Sequence, residues 1–240
     1  MSARFEELAW RATPMGEISL RRRLDPTVDA DVYEVKLGDE FLMSSLFTVA
    51  EIELARLGLA EVSGDGLDVV VGGLGLGYTA RTVLEDDRVR SLIVVDAIED
   101  VIAWHRGGLL PFAETVVSDP RSRLAHGDFF ARSAAGDLDP ERPGSRFHAV
   151  LVDIDHSPRH LLHPSHAAFY TPDGLRRLAD QLHPGGVFGL WSNDPPEDAF
   201  TTTLADVFVD VRADVVAFDN PLQRRTSTNT VYLGRRRFAE

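Results

Sequence analysis

Apolar positions along the chain recur with two spacings, and the switches between them mark the elements. Residues 17–24 (EISLRRRL) and 32–43 (VYEVKLGDEFLM) carry the pattern of strands, the second turning at Gly38-Asp39 into a hairpin. The run LFTVAEIELARLGLAE then places apolar residues at helical spacing until SGDG interrupts it. Beyond that point, apolar runs at 67–73, 91–96, 124–127, 147–153, 186–192, 210–218 and 229–234 predict strands. Segments 77–86, 97–106, 172–182 and 196–206 predict helices. Apolar strands alternating with amphipathic helices imply a parallel sheet covered on both faces. No internal repeat is visible, and ARSAAGDLDPERPGSR at 131–146 reads as a surface loop. The expected division is an N-terminal hairpin region at 1–46 and an α/β domain at 47–240.

Composition narrows the classes. At 240 residues with 44% apolar and 26% charged content, the chain suits one substantial globular core. No apolar run approaches the ~20 residues that span a bilayer, and the N-terminus lacks the layout of a secretory signal; cytoplasm is the expected location. A net charge of −13 disfavours nucleic acid and acidic lipid as partners. It is compatible with a cationic substrate, and equally with a solvated acidic surface. The absence of cysteine removes thiol chemistry and thiolate metal sites, and Lys36 is the only lysine available for a Schiff base. No GxSxG or GxxxxGK[ST] pattern occurs, which disfavours elbow-type serine hydrolases and P-loop NTPases.

The stretch VVVGGLGLGYTA holds the main candidate chemistry. Gly73, Gly75 and Gly77 follow a buried strand and open a helix, where glycine permits a tight turn and lets backbone approach a ligand. Asp96 closes the next strand 23 residues after Gly73, where a nucleotide-binding sheet needs an acid for ribose hydroxyls. A dinucleotide fingerprint would require glycine or alanine at position 78, and Tyr78 stands there, so GxGxG suits a nucleoside without a pyrophosphate.

On these residues, together with LIVVDAIEDVI, HGDFF, FHAVLVDIDHSP, AAFYTPDGLRRLADQLHPGGVF and TNTVYLGRR, the chain resembles the class I S-adenosylmethionine-dependent transferases. Within them it is similar to the spermidine synthase-like (polyamine aminopropyltransferase) group. The resemblance implies a Rossmann-like seven-stranded sheet whose closing strand is antiparallel. It implies that Gly73, Gly75 and Gly77 line the methionine-derived moiety of S-adenosylmethionine or its decarboxylated form. Asp96 would bind the ribose, Asp128 the adenine amino group with Phe129 against the ring, and Asp153 would lie beside the sulfonium. Read alone, Asp128 is also a helix N-cap before FFARS.

Two departures touch the group's defining chemistry. The acid of its GGGDG-like loop, which binds the amine of the decarboxylated donor, is matched here by Leu76. The second Asp of its DSSDP-like run is matched by His156, with Asp155 one residue earlier. Histidine is a serviceable base at neutral pH, so His156 or Asp155 is the candidate that activates an acceptor; both are also placed to cap the loop. His156, His160, His163 and His166 crowd one segment and could hold a metal, line a substrate pocket or form plain surface, with Pro158 and Pro164 breaking any common helical face. No metal is assigned. Trp191 and Asp194, after the fifth strand of the expected sheet, face the expected acceptor pocket; Asp194 could equally initiate the turn before Pro195. Tyr170 of the group's FY pair packs the loop over the site and joins the acceptor-facing set. Glu51 and Glu53 lie on the helix after the hairpin, where the group also has acceptor- or donor-facing acids; a solvent-facing helix surface is the role expected of them here.

Because Leu76 removes the loop acid, the expected reaction is methyl transfer from S-adenosylmethionine to a small molecule. Aminopropyl transfer from the decarboxylated donor, or adenosyl-ligand binding without catalysis, are the alternatives. A homodimer is possible.

Overall fold

The computed structural model describes residues 5–13 and 15–238. A run of three valines inside Leu67–Gly72 (β5) sets the centre of the molecule, and every residue of that strand is buried. β5 pairs in parallel with β6 (Val89–Asp96) on one side and β8 (Phe147–Val152) on the other. β6 continues to β7 (Ser122–His126), and β8 to β9 (Leu182–Ser192). The long hairpin β10 (Val209–Asn220) and β11 (Arg225–Arg235) closes the sheet, with β11 antiparallel to β9. The order is β10-β11-β9-β8-β5-β6-β7, so the seven strands and the antiparallel closing strand follow the expectation.

Alternation along β5 explains the two layers. Val69 and Val71 enter one core with Leu92, Val94, Ala149 and Leu151, whereas Val70 enters a second with Ile93, Val150 and Val152. Helices α1 (Val49–Ala60), α2 (Tyr78–Leu84), α3 (Glu99–Arg106) and α4 (Ala113–Ser118) cover the first face. Helices α5 (Phe129–Ala135), α6 (Pro172–Ala179) and α7 (Asp198–Ala205) cover the second. Among the described residues no helix is long and apolar enough to cross a membrane.

The N-terminal region is larger than the expected hairpin. It is a four-stranded antiparallel sheet of β1 (Phe5–Thr13), β2 (Gly16–Asp25), β3 (Ala30–Leu37) and β4 (Glu40–Ser44), in that order. Its turn at Gly38-Asp39 joins β3 to β4 as expected. β1 escaped the pattern because it is an edge strand, mostly exposed and bulged between Glu7 and Ala9, so alternation is not enforced. Ile18, Leu20, Val35 and Leu37 pack this sheet into the first core. The expected surface loop at 131–146 also departs: its first residues belong to α5, Leu138 is buried, and the buried Asp139 ties Arg123 and Arg142 together.

Candidate functional site

At the carboxyl ends of β5, β6, β8 and β9 lies a cavity of about 900 Å³, the position where open α/β sheets bind ligands. Its roof comes from two outside elements. Arg23, Glu34 and Phe41–Ser44 belong to the N-terminal sheet, and residues from Phe218 to Asn229 belong to the β10–β11 hairpin. Phe47 and Phe218 join the two, with ring centroids 5.8 Å apart. The strands of that hairpin were legible, but nothing in their pattern told that the tip overhangs the sheet.

The glycine loop forms the floor. Gly73 has φ +93°, and a Cβ there would stand 2.0 Å from the Asp153 carbonyl oxygen, so only glycine lets the ends of β5 and β8 close up. Gly73 and Gly75 line the cavity, whereas Gly77 lies off it as the residue before α2. His105, buried beneath, pairs its Nε2 with the Gly75 carbonyl at 3.0 Å, which makes that nitrogen the donor. Burial pushes the His105 pKa down, in keeping with a neutral ring. Sequence reading had no handle on this support.

Asp96 lines the cavity at the tip of β6. Its carboxylate accepts from the N–H of Leu74 and of Ile98, each at 2.8 Å, and so ties the glycine loop to β6. Desolvation pushes its pKa up, against the backbone donors that favour the anion. Asp128 caps α5, one oxygen taking the N–H of Phe130 and of Ala131, and the residue also lines the cavity. Phe129 is buried against Gly72, where a Cβ would meet its ring at 2.7 Å, and it reaches the cavity wall.

Asp153 closes β8 in the wall and accepts from Thr79 Oγ1 at 2.8 Å. Glu51, expected on a solvent face, is the main correction: it is 7% exposed and stands in the same wall. The signal was present, because position 51 shares a helical face with the buried Leu54, Ala55 and Gly58 of α1. Desolvation and the charge of Asp153 push the Glu51 pKa to about 8; desolvation pushes Asp153 to about 6, with the Thr79 bond opposing. Among the described residues neither carboxyl has an ion-pair partner.

The acceptor-side candidates divide. His156 and Trp191 line the cavity, and His156 Nε2 meets Glu40 Oε1 of β4 at 3.0 Å. The indole Nε1 of Trp191 is buried without a partner. Asp155, Tyr170 and Asp194 do not line the cavity. Asp155 is wholly buried and receives the Tyr170 hydroxyl at 2.9 Å, which removes it from contact with any acceptor. Asp194 instead pairs with His160 at 3.0 Å. The four clustered histidines likewise diverge: His156 to Glu40, His160 to Asp194, His163 to Ser165 and His166 to Asp155. Leu76 is core, 2% exposed, with its N–H on the Met43 sulfur.

The residues fit an adenosyl ligand: a tight glycine floor at Gly73 and Gly75, an acid at the second strand's tip, and an indole in the wall whose Nε1 has no partner among the described residues. Comparison with known proteins agrees on the fold. No family model matches the chain. It is similar to polyamine aminopropyltransferase 2 of Pseudomonas aeruginosa, 30% identical over 164 residues, covering 63% of this chain and 43% of that protein. The chain therefore spans less than half the length of that curated relative. The crystal structure of spermidine synthase from Thermotoga maritima matches with a TM-score of 0.73 at 17% identity, over 95% of this chain and 72% of the other. A spermidine synthase in complex with the transition state analogue AdoDATO gives 0.71 at 16%, with the same coverage. Human methyltransferase-like protein 13 in complex with SAH gives 0.57 at 17%, over 79% and 82%. The fold is that of the spermidine synthases it matches, a seven-stranded α/β sheet with an N-terminal antiparallel sheet.

Proposed function

We propose that the protein transfers an aminopropyl group from decarboxylated S-adenosylmethionine to a small amine. The observation that carries this reading is the pair Glu51 and Asp153, two carboxyls in the cavity wall without a cation of their own. S-adenosylmethionine itself carries an ammonium and a carboxylate on its tail. A wall holding the Asp153 charge beside a second ionisable carboxyl favours a tail that is only cationic. Leu76, whose identity argued for methyl transfer, is a core residue outside the cavity; in this reading Glu51 of α1 supplies the carboxyl that the glycine loop lacks. Similarity to a protein named as a polyamine aminopropyltransferase supports the same choice.

When bound, the donor supplies an electrophilic carbon on a sulfonium. Gly73 and Gly75 admit its tail, Asp96 holds ribose hydroxyls, and Asp128 and Phe129 hold the base. Trp191 walls the acceptor side. The acceptor nitrogen forms the new C–N bond as the C–S bond breaks, the electron pair leaves with sulfur, and His156, braced by Glu40, takes the proton.

The test is incubation with each donor and a series of diamines, followed by mass spectrometry. Expected is 5′-methylthioadenosine with an aminopropylated amine from the decarboxylated donor. S-adenosylhomocysteine formed from S-adenosylmethionine would restore the methyl-transfer reading. Tight donor binding without turnover across the series would leave a ligand-binding protein.

A further inference from the structure

Asp155, displaced from the catalytic role expected of it, organises a second histidine. Its buried carboxylate accepts three hydrogen bonds: from the Leu162 N–H at 2.8 Å, the Tyr170 hydroxyl at 2.9 Å, and His166 Nδ1 at 2.8 Å. A carboxylate only accepts, so Nδ1 carries the proton, and in the neutral ring Nε2 is left with its lone pair. The ring is held on its face as well, 4.0 Å from the Phe130 ring at 31°. His166 lines the cavity, and its Nε2 makes no hydrogen bond among the described residues. The tautomer and the orientation of the imidazole are thus fixed, and one acceptor atom is left over.

Position tells what that atom would meet. From the glycine loop at β5, the cavity runs past Asp96 at the tip of β6 to Asp128, Phe129 and Phe130 after β7. With the tail at Glu51 and Asp153 and the ribose on Asp96, the base falls at the far end, against Phe130 and His166. Asp128 also keeps one carboxylate oxygen free there, since only its other oxygen caps α5. Two acceptors, His166 Nε2 and the second Asp128 oxygen, thus belong to residues lining this part of the cavity.

Resting on the proposed donor reading, we infer that His166, positioned by Asp155 and Tyr170, is a specificity-determining residue that accepts a hydrogen bond from the exocyclic amino group of a 6-aminopurine and rejects a 6-oxopurine. An oxo group would set its lone pairs against those of Nε2 and Asp128, leaving polar atoms unpaired in a desolvated site.

Calorimetry at pH 8 with 5′-methylthioadenosine and 5′-methylthioinosine tests this, because neither ligand carries the tail that Glu51 and Asp153 would hold. Wild type is expected to favour the adenosine compound by about tenfold or more. His166→Phe, which keeps the stacking on Phe130, should lose most of that preference through weaker adenosine binding. His166→Gln, whose amide can turn to accept or donate, should regain adenosine binding and gain inosine binding; a thermal melt verifies that each variant is folded. An unchanged preference in a folded His166→Phe would overturn the inference while leaving the donor reading intact. Failure of wild type to bind either nucleoside would overturn both.

Discussion

Glu51 and Asp153 share the cavity wall, where desolvation first and the charge of Asp153 second hold the proton on Glu51. Glu51 keeps its proton to about pH 8 in the folded chain against 4.5 ordinarily, and Asp153 to about 6 against 3.8. Between the unfolded and folded values the folded chain binds more protons than the unfolded one, so stability must fall as pH rises through that window. The melting temperature of the ligand-free protein should therefore drop from pH 5 to pH 8, by about 2–4 °C for each kcal/mol lost. Glu51→Gln should flatten the profile and melt higher than wild type at pH 8. A profile identical in both proteins would show that Glu51 is not the group responsible.

The same pair links ligand charge to protons. At pH 7 Asp153 is largely ionised and Glu51 largely protonated; an arriving ammonium stabilises the second negative charge and expels that proton. Calorimetry of decarboxylated S-adenosylmethionine in buffers of different ionisation enthalpy should give a release approaching one proton per site at pH 7. Glu51→Gln should abolish the release and weaken binding by about tenfold or more. Binding with no proton exchange in wild type would separate the ligand from this pair.

Gly73 offers a sharper structural test. A methyl group there would lie 2.0 Å from the Asp153 carbonyl oxygen at φ +93°, so the clash is with backbone and the torsion is strained as well. Gly73→Ala should cost about 2 kcal/mol or more in chemical denaturation and eliminate nucleoside binding. By contrast Gly38, whose added Cβ meets nothing within 4 Å, should tolerate asparagine at φ +57° with little loss.

What could be read from the chain follows from how local each signal is. The glycine loop, Asp96 and the alternation of strand and helix lie within short windows, and period and turn chemistry expose them. The charge of Glu51 suggests a solvent face, whereas its helical phase, shared with the buried positions 54, 55 and 58, places it inward. Asp155 and Tyr170 carried a plausible family pattern, yet their partners lie 7 to 15 residues apart around an irregular loop whose path no periodicity encodes. The Glu40–His156 contact spans 116 residues and depends on how the N-terminal sheet docks over the domain. Such contacts are tertiary facts, and sequence spacing holds no trace of them.

The Tyr170 hydroxyl is a buried donor to Asp155 and the one partner of its Oδ2 among the described residues. Burial and the charge of Asp155 push its pKa well above the ordinary value of 10, so it remains a donor at any working pH. Tyr170→Phe keeps the ring contacts with Phe130, Phe169 and Phe200 but leaves one oxygen of a buried carboxylate short of a partner. The expected loss is about 1–3 kcal/mol in urea denaturation. A variant as stable as wild type would mean that water or a shift of the loop around Leu162 satisfies Asp155 instead.

His156 and Glu40 make the closing case, because their contact joins the N-terminal sheet to the loop after β8. Glu40 projects from the tip of the β3–β4 hairpin, and its 3.0 Å approach to Nε2 orients the imidazole while anchoring the hairpin over the acceptor side. If His156 removes the acceptor's proton, His156→Ala should lower kcat by about 10²–10⁴-fold with donor affinity unchanged, since a general base acts only on the step it serves. Glu40→Gln keeps a hydrogen bond to the ring but gives up the charge, so a loss of about tenfold in kcat is expected. If the contact served only to hold the hairpin down, both variants would instead raise KM for the acceptor and leave kcat near its wild-type value. Steady-state kinetics at saturating donor, with acceptor varied, distinguishes the two outcomes.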